Sequence, residues 1–323
     1  MSIRVLRPGL LTTLQDLGRH GLQHVGLCPG GAMDAVALSL ANALVGNPRG
    51  EAALEITVIG PELAFEQDAL VAVCGAEFKG SFPHNRPVLA PAGSRFNVGR
   101  AVRGARAYLA VAGGFAVDPV LGSRSTYLPG AFGGFAGRPL RHGDVLPQRD
   151  PAAAARFSRL KKTREGTVKW SAPPLTLPDR EPILIHVLEG QHYASFDANA
   201  QRTFLDAVWR VAPESNRMGF RLAGPALVRA RDDEILSGPT ALGSVQVPAN
   251  GAPIALMADH QTTGGYPRIA EIVSADVPRL AQLAPGGSVH FARCDLAAAA
   301  ELRHHMNERL EVALRGIAWN YGQ

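Results

Sequence analysis

The densest run of reactive side chains in the sequence is Asp259-His260-Gln261-Thr262-Thr263-Gly264-Gly265-Tyr266-Pro267. It gathers a carboxylate, an imidazole, an amide, two hydroxyls and a phenol beside a Gly-Gly pair that lets a ligand approach the backbone closely. Upstream, Gln246 interrupts the apolar run Ser244-Val245-Gln246-Val247-Pro248. Its amide either points into the same cleft or is satisfied by backbone groups. Around Gly219, Arg217 and Arg221 stand four apart. Two guanidinium groups near one turn can clamp a carboxylate or phosphate, or they pair with acids of the fold.

The first half holds a second set. Gly30-Gly31-Ala32-Met33-Asp34 joins a glycine turn to a helix start, where free N–H groups and the helix dipole favour an anion. Asp34 competes for those groups as a helix cap, so capping and ligand binding both stand as readings. Glu55 lies in the apolar run Ala53–Ile59, and a carboxylate buried there needs a partner as acid, base or ion-pair member. Asn42 and Asn47 flank the end of the same helix and read as terminators. His20 and His24 are four apart, but Gly18 and Gly21 break that segment, and His304 and His305 diverge on a helix surface. Neither pair is an expected metal site.

These groups must be carried by a scaffold of 323 residues with 46% hydrophobic and 19% charged residues, long enough to bury a sizeable core. The 35 Gly and 24 Pro are spread without a period, which favours a turn-rich globular fold over a helical bundle. The charge of +5 concentrates in Arg156, Arg159, Lys161, Lys162, Arg164 and Lys169, without the interleaved aromatics that nucleic-acid stacking needs. Nucleic acid is not an expected partner. Cys28, Cys74 and Cys294 are too scattered for a disulfide framework or thiolate zinc site. No apolar run has the length of a signal-peptide core or membrane helix, and the expectation is a soluble, cytoplasmic chain with no membrane partner. Phosphate-loop, dinucleotide, HExxH and GxSxG motifs are absent, which excludes the common nucleotide and hydrolase machines at motif level.

Helices are predicted over Ala35–Val45, near Ala198–Ala207 and Val277–Leu283, and over Leu296–Arg315. The last has an apolar stripe at Ala299, Leu302, Met306, Leu310 and Leu314. Short apolar runs ending in Gly, Pro or Asn predict strands, among them Ile3–Leu6, Leu54–Ile59, Ala69–Cys74, Ala107–Val111, Ile183–Leu188, Val245–Val247, Ile254–Met257 and Val289–Ala292. With few crossover helices between them, antiparallel barrels are favoured over a doubly wound sheet, giving a mainly β protein. Gly60-Pro61-Glu62-Leu63 is echoed by Gly224-Pro225-Ala226-Leu227, which suggests two related lobes. The expected division is residues 1–150 and 179–295 for the lobes, a basic Ala/Pro-rich linker over 151–178, and a helix and tail over 296–323.

Seven motifs, in one order, carry a family resemblance. They are Gln15-Asp16-Leu17-Gly18-Arg19, Gly30-Gly31-Ala32-Met33-Asp34, Ala41-Asn42-Ala43-Leu44-Val45-Gly46-Asn47, Ala53-Leu54-Glu55, Ser215-Asn216-Arg217-Met218-Gly219, Gly243-Ser244-Val245-Gln246-Val247-Pro248 and the 259–267 loop. Together they resemble the biotin-dependent carboxyltransferase family also called allophanate hydrolase subunit 2. That family includes the KipA proteins, the C component of ATP-dependent 5-oxoprolinase and part of the urea carboxylase carboxyltransferase domain.

The resemblance implies two cyclophilin-like β-barrel lobes and a KipI-type partner protein. In the 5-oxoprolinase members a LamB/YcsF-type component joins the pair, and 5-oxoproline is opened to glutamate at the expense of ATP, with Mg, at the level of the complex. The chain has no biotinyl-lysine context, so biotin is not expected on it. Under the 5-oxoprolinase reading, Asp34 or Glu55 handles a proton while Gln246, Gln261, Thr262 and Thr263 orient the small amide substrate. Arg217, Arg221, His260 and Tyr266 help to hold it, and backbone N–H groups of Gly264 and Gly265 face an oxyanion. The alternatives are a KipA-type regulator that sequesters a histidine-kinase inhibitor, and a carboxyltransferase component acting on a small amide.

Overall fold

The computed structural model describes residues 2–160, 163, 166–230 and 235–322. Lys161, Lys162 and Arg164 of the basic stretch lie outside the described residues. The chain is mainly β, as expected, with a long C-terminal helix, and it divides into two compact units.

The first unit comprises Met1–Arg19, Gly30–Leu177 and Glu308–Gln323. Its strands are β1 (Ser2–Arg7), β2 (Leu11–Gln15), β3 (Ala53–Thr57), β4 (Glu62–Phe65), β5 (Ala69–Lys79), β6 (Val88–Ala90), β7 (Arg95–Asn97), β8 (Arg100–Val111) and β9 (Val145–Pro147). They pair in a four-stranded sheet of order β7-β4-β1-β9 and a five-stranded sheet of order β2-β3-β8-β5-β6. Alternation along each strand sorts the side chains. Leu54 and Ile56 of β3, Val71 and Val73 of β5, and Leu109 and Val111 of β8 enter the apolar core. The opposite face carries a cross-strand row, because Glu55 is in register with Tyr108 and Tyr108 with Cys74.

Helix α1 (Ala35–Leu44) begins where the sequence places it, with Asp34 Oδ1 accepting a 2.9 Å hydrogen bond from the Ala37 N–H. Its end is fixed by asparagines. Asn42 Nδ2 donates to Glu51 O at 2.7 Å, and Asn47 Nδ2 to Val111 O at 2.8 Å. The Gln15–Arg19 motif is likewise internal to this unit. Asp16 accepts from the Gly18 N–H and the Ser123 hydroxyl, both at 2.7 Å, while Arg19 Nη2 donates to Ser125 O at 2.6 Å.

The segment over 151–178 differs from the linker that its composition suggested. Pro151–Arg159 forms a 3-10 helix that buries Ala153 and Phe157. Leu89 N–H donates to Gly166 O and Ala172 N–H to Asn85 O, and Val168 is fully buried. Apolar residues spaced among the lysines and arginines supply this burial, and tertiary packing decides it rather than local composition.

The second unit comprises His20–Pro29 and Pro178–Asn307. It contains β10 (Ile183–Glu189), β11 (Trp209–Val211), β12 (Gly219–Ala223), β13 (Gly238–Pro239), β14 (Ser244–Gln246), β15 (Ile254–Leu256), β16 (Thr263–Gly264), β17 (Arg268–Ile272) and β18 (Ser288–Arg293). Seven of them close a barrel in the order β10-β17-β14-β15-β12-β11-β18, and β13 and β16 form a separate ribbon. Closure removes the exposed edges that an open sheet would leave. Helices α2 (Ala198–Asp206) and α3 (Val277–Leu280) belong to this unit. Phe204 of α2 stacks on Phe291 with ring centroids 4.7 Å apart.

Helix α4 (Leu296–Asn320) runs five residues past its predicted end, and Leu310 and Ile317 are buried. Among the described residues, no helix is long and apolar enough to cross a membrane.

Candidate functional site

In the second unit the polar loop starts from a buried ion pair. Arg217 Nε meets Asp259 Oδ2 at 2.9 Å and Nη2 meets Oδ1 at 3.0 Å, with both side chains buried. The Asp259 N–H also donates to Arg217 O, so side chains and backbone both tie the loop to the segment preceding β12. Arg221 is exposed on β12, whose alternation turns Phe220 and Leu222 inward. The structure therefore does not bring Arg217 and Arg221 together as a clamp.

His260 is buried. Its Nδ1 donates to Met257 O at 2.8 Å, and burial holds its pKa below the ordinary histidine value. The neutral ring that results leaves Nε2 as an acceptor, and that atom has no hydrogen-bond partner among the described residues. Gln246 is 1% exposed, and its Oε1 accepts a 3.1 Å hydrogen bond from Gln261 Nε2. Its own Nε2 is buried with no partner among the described residues.

Gly264 closes over the two amides. A Cβ at this position would lie 2.6 Å from Gln246 Nε2, 3.2 Å from Thr240 Cγ2 and 3.4 Å from Gln261 Nε2. The approach is fixed by the β13–β16 ribbon, in which Gly238 pairs with Gly264 and Pro239 with Thr263. Thr240 adds to it, since its hydroxyl donates to Gln261 O and its N–H to Thr262 O. Thr262 is buried, whereas Thr263, Gly265 and Tyr266 are exposed.

An open cleft of about 610 Å³ adjoins this constellation. Val247 and Gly265, the chain neighbours of Gln246 and Gly264, line it together with Tyr266, Leu227, Ile235 and Arg229. Arg229 was not among the residues expected from sequence. It lies in a short irregular segment with no motif around it, and only the fold brings it beside the 247–251 turn.

In the first unit, Asp34 and Glu55 are both buried and both engaged. Glu55 Oε2 accepts from the Met33 N–H at 2.9 Å and from the Tyr108 hydroxyl at 2.7 Å. The same hydroxyl accepts from the Asp34 N–H at 2.8 Å, and Asp34 Oδ2 accepts from the Thr176 hydroxyl at 2.5 Å. Burial, with the nearby Glu55 and Asp34, pushes the Tyr108 pKa well above the ordinary tyrosine value. Cys74, in the same row, is pushed up by burial and by Asp34.

The N–H groups of Ala32, Met33 and Asp34 are thus spent on Asp16 O, Glu55 and Tyr108. Asp34 caps the helix through Oδ1, and the turn's own N–H groups are taken up by these three internal bonds. Tyr108 was missed in the sequence. Its signal was a lone phenol within the buried strand run Ala105–Val111. Among the described residues, no three His, Cys, Asp or Glu gather as a metal site.

Several known proteins are similar to this chain. Residues 25–293 match the family model described as carboxyltransferase domain, subdomain A and B. The C component of 5-oxoprolinase from Escherichia coli (strain K12) is 40% identical over 322 residues, spanning 98% of each chain. The protein of the same name from Haemophilus influenzae is 37% identical over 297 residues, spanning 90% of this chain and 91% of that one. The crystal structure of Kluyveromyces lactis urea amidolyase superposes with a TM-score of 0.86 at 30% identity, covering 97% of this chain and 20% of that much longer one. The chain belongs to the carboxyltransferase subdomain A and B family.

Proposed function

We propose that this chain is the C component of an ATP-dependent 5-oxoprolinase. It would work with a KipI-type and a LamB/YcsF-type protein to convert 5-oxoproline to glutamate. Two relatives matched over nearly their whole lengths bear that component's name. The observation that carries the reading is the Gln246–Gln261 pair under Gly264. It places a buried donor with no partner among the described residues beside a half-buried amide, and Val247 and Gly265, the chain neighbours of Gln246 and Gly264, line a cleft. A lactam presents one N–H and one C=O in fixed geometry, and oriented amides recognise that pair without net charge.

In the reaction, the ring C–N bond breaks, the oxygen of water joins the carbonyl carbon, and the nitrogen gains a proton. Negative charge develops on the lactam oxygen, and the donors of Gln246, Gln261, Thr263 and the Gly265 backbone are the groups of this chain suited to meet it. Buried Thr262 keeps the loop in register through its carbonyl bond to Thr240. Asp34 and Glu55 are assigned to holding the glycine turn, because backbone and hydroxyl donors occupy them. ATP supplies the driving force for ring opening. ATP, with Mg, acts at the level of the complex, and no step on this chain runs through it.

A second reading, a carboxyltransferase component acting on a small amide, is favoured by the superposition on urea amidolyase. Co-expression of the three proteins and an assay for glutamate dependent on both ATP and 5-oxoproline separates the two. Glutamate formation by the intact complex is expected. A folded, assembled complex that makes none counts against the first reading.

A further inference from the structure

The Gln246 amide nitrogen, the donor on which the proposed site turns, is closed off in this structure. Gln246 is 1% exposed, and Gly264 lies so near that a Cβ there would stand 2.6 Å from Nε2. The cover is the segment 261–266. Both of its ends are fixed to the barrel, on one side by the Arg217–Asp259 ion pair and on the other by the Val247 N–H, which donates to Pro267 O at 2.9 Å. Between these anchors the segment meets β13 in a ribbon only two rungs long. Pro239, opposite Thr263, has no N–H to give to that ribbon. Two strands so short do not hold together in water by themselves.

Thr240 supplies what the ribbon lacks. It is 6% exposed, its hydroxyl donates to Gln261 O, and its N–H donates to Thr262 O at 2.9 Å. Its Cγ2 lies 3.2 Å from the Cβ position of Gly264. One residue thus holds three members of the cover, including Gln261, whose amide reaches Gln246. We propose that Thr240 is a positioning residue, a latch that keeps segment 261–266 closed over the Gln246 amide and releases it locally to admit the ligand. Release leaves the barrel intact, because the Arg217–Asp259 and Val247–Pro267 anchors lie outside the moving segment. Reclosure aims Gln261 Nε2 as charge develops on the substrate. The inference rests on the reading of the Gln246–Gln261 pair as a lactam site and deepens it, by assigning how the lactam reaches a buried donor.

The test uses Thr240→Val, which removes the hydroxyl at similar shape, and Thr240→Ser, which keeps it. Hydrogen exchange on the full chain reads the latch without substrate. In wild type the N–H of Thr240 is expected to exchange at least about 100-fold faster than the barrel amides of β14 and β17, after correction for intrinsic rates. Thr240→Val should speed exchange at that position by a further 5- to 10-fold or so, as for loss of one hydrogen bond, with the barrel amides within about twofold. In the three-protein complex Thr240→Val should lower kcat by about 10-fold and change KM by less than about threefold, because the aim of Gln261 matters most in the transition state. Thr240→Ser should recover most of both losses. Exchange at Thr240 no faster than in the barrel, equal impairment by the two variants, or parallel acceleration of the barrel amides overturns the proposal. The expected exchange pattern in a complex that forms no glutamate would keep the latch and remove the 5-oxoprolinase reading. Glutamate formation at the wild-type kcat by Thr240→Val does the reverse.

Discussion

Gln261 donates from Nε2 to Oε1 of Gln246 across 3.1 Å, joining a half-buried loop amide to a buried strand amide. The bond fixes which face Gln261 can offer to a ligand, and it leaves Gln246 Nε2 without a partner among the described residues. An unmade hydrogen bond on a buried donor costs about 1–3 kcal/mol, a cost that the remainder of the fold must offset. A group of this kind calls for an explanation, such as a bound ligand or an ordered water.

Replacing Gln246 with Met should therefore separate stability from activity. The apolar side chain removes an unsatisfied donor at similar volume, so the melting temperature is expected to hold or rise. Turnover should fall on the order of 100-fold, as for loss of an oriented donor. Thermal melts and steady-state kinetics on the assembled complex check both halves, and a less stable variant with normal turnover would contradict the assignment.

Gly264→Ala places a methyl group 2.6 Å from Gln246 Nε2. The amide is the mobile end of a side chain and can yield, so a destabilisation of about 1–3 kcal/mol is expected together with loss of the Gln246–Gln261 bond. Urea denaturation gives the first quantity. A fall in kcat/KM matching that of Gln246→Met would show that both changes act on the same pair.

Arg217 and Asp259 are expected to behave as a structural unit. Cutting either one alone leaves a buried charge without its main partner and should cost about 3–5 kcal/mol. In a double-mutant cycle with Arg217→Met and Asp259→Leu, the double variant should be more stable than the sum of the single changes predicts. Strict additivity would mean that the pair contributes no coupling.

Tyr108 gives a pH signature. Its folded pKa is raised, so its contribution to stability is fully present below about pH 10, where the unfolded tyrosine is also protonated. Above that point the unfolded chain releases a proton that the folded chain keeps. Stability then declines by about 1.4 kcal/mol per pH unit until the folded pKa is reached. Tyr108→Phe should lose about 1–3 kcal/mol at neutral pH, from the bonds to Glu55 and Asp34, and should show a shallower alkaline decline than wild type. Parallel stability-versus-pH curves for the two proteins would contradict this.

Local chemistry made part of this legible in the sequence. Asp34 ahead of a helical apolar period announces a cap, and β-branched runs broken by Gly and Pro announce strands. The partners of the polar residues were not legible, because they are set by registers between distant segments. Glu55 meets Tyr108 only once β3 and β8 pair, and Arg217 meets Asp259 only once their two segments are brought together. The basic stretch after residue 150 misled for the same reason, since Phe157 and Val168 find cover that only the folded unit provides. Arg229 shows the limit most clearly. Nothing adjacent marks it as a cleft residue, and its place in the lining depends on three separated segments.

The central claim is that the Gln246–Gln261 pair orients a lactam, and one kinetic constant tests it most directly. The quantity is kcat/KM for 5-oxoproline in the three-protein complex carrying Gln261→Ala. A fall on the order of 100-fold with normal assembly is predicted. An assembled complex that keeps the wild-type value would contradict it.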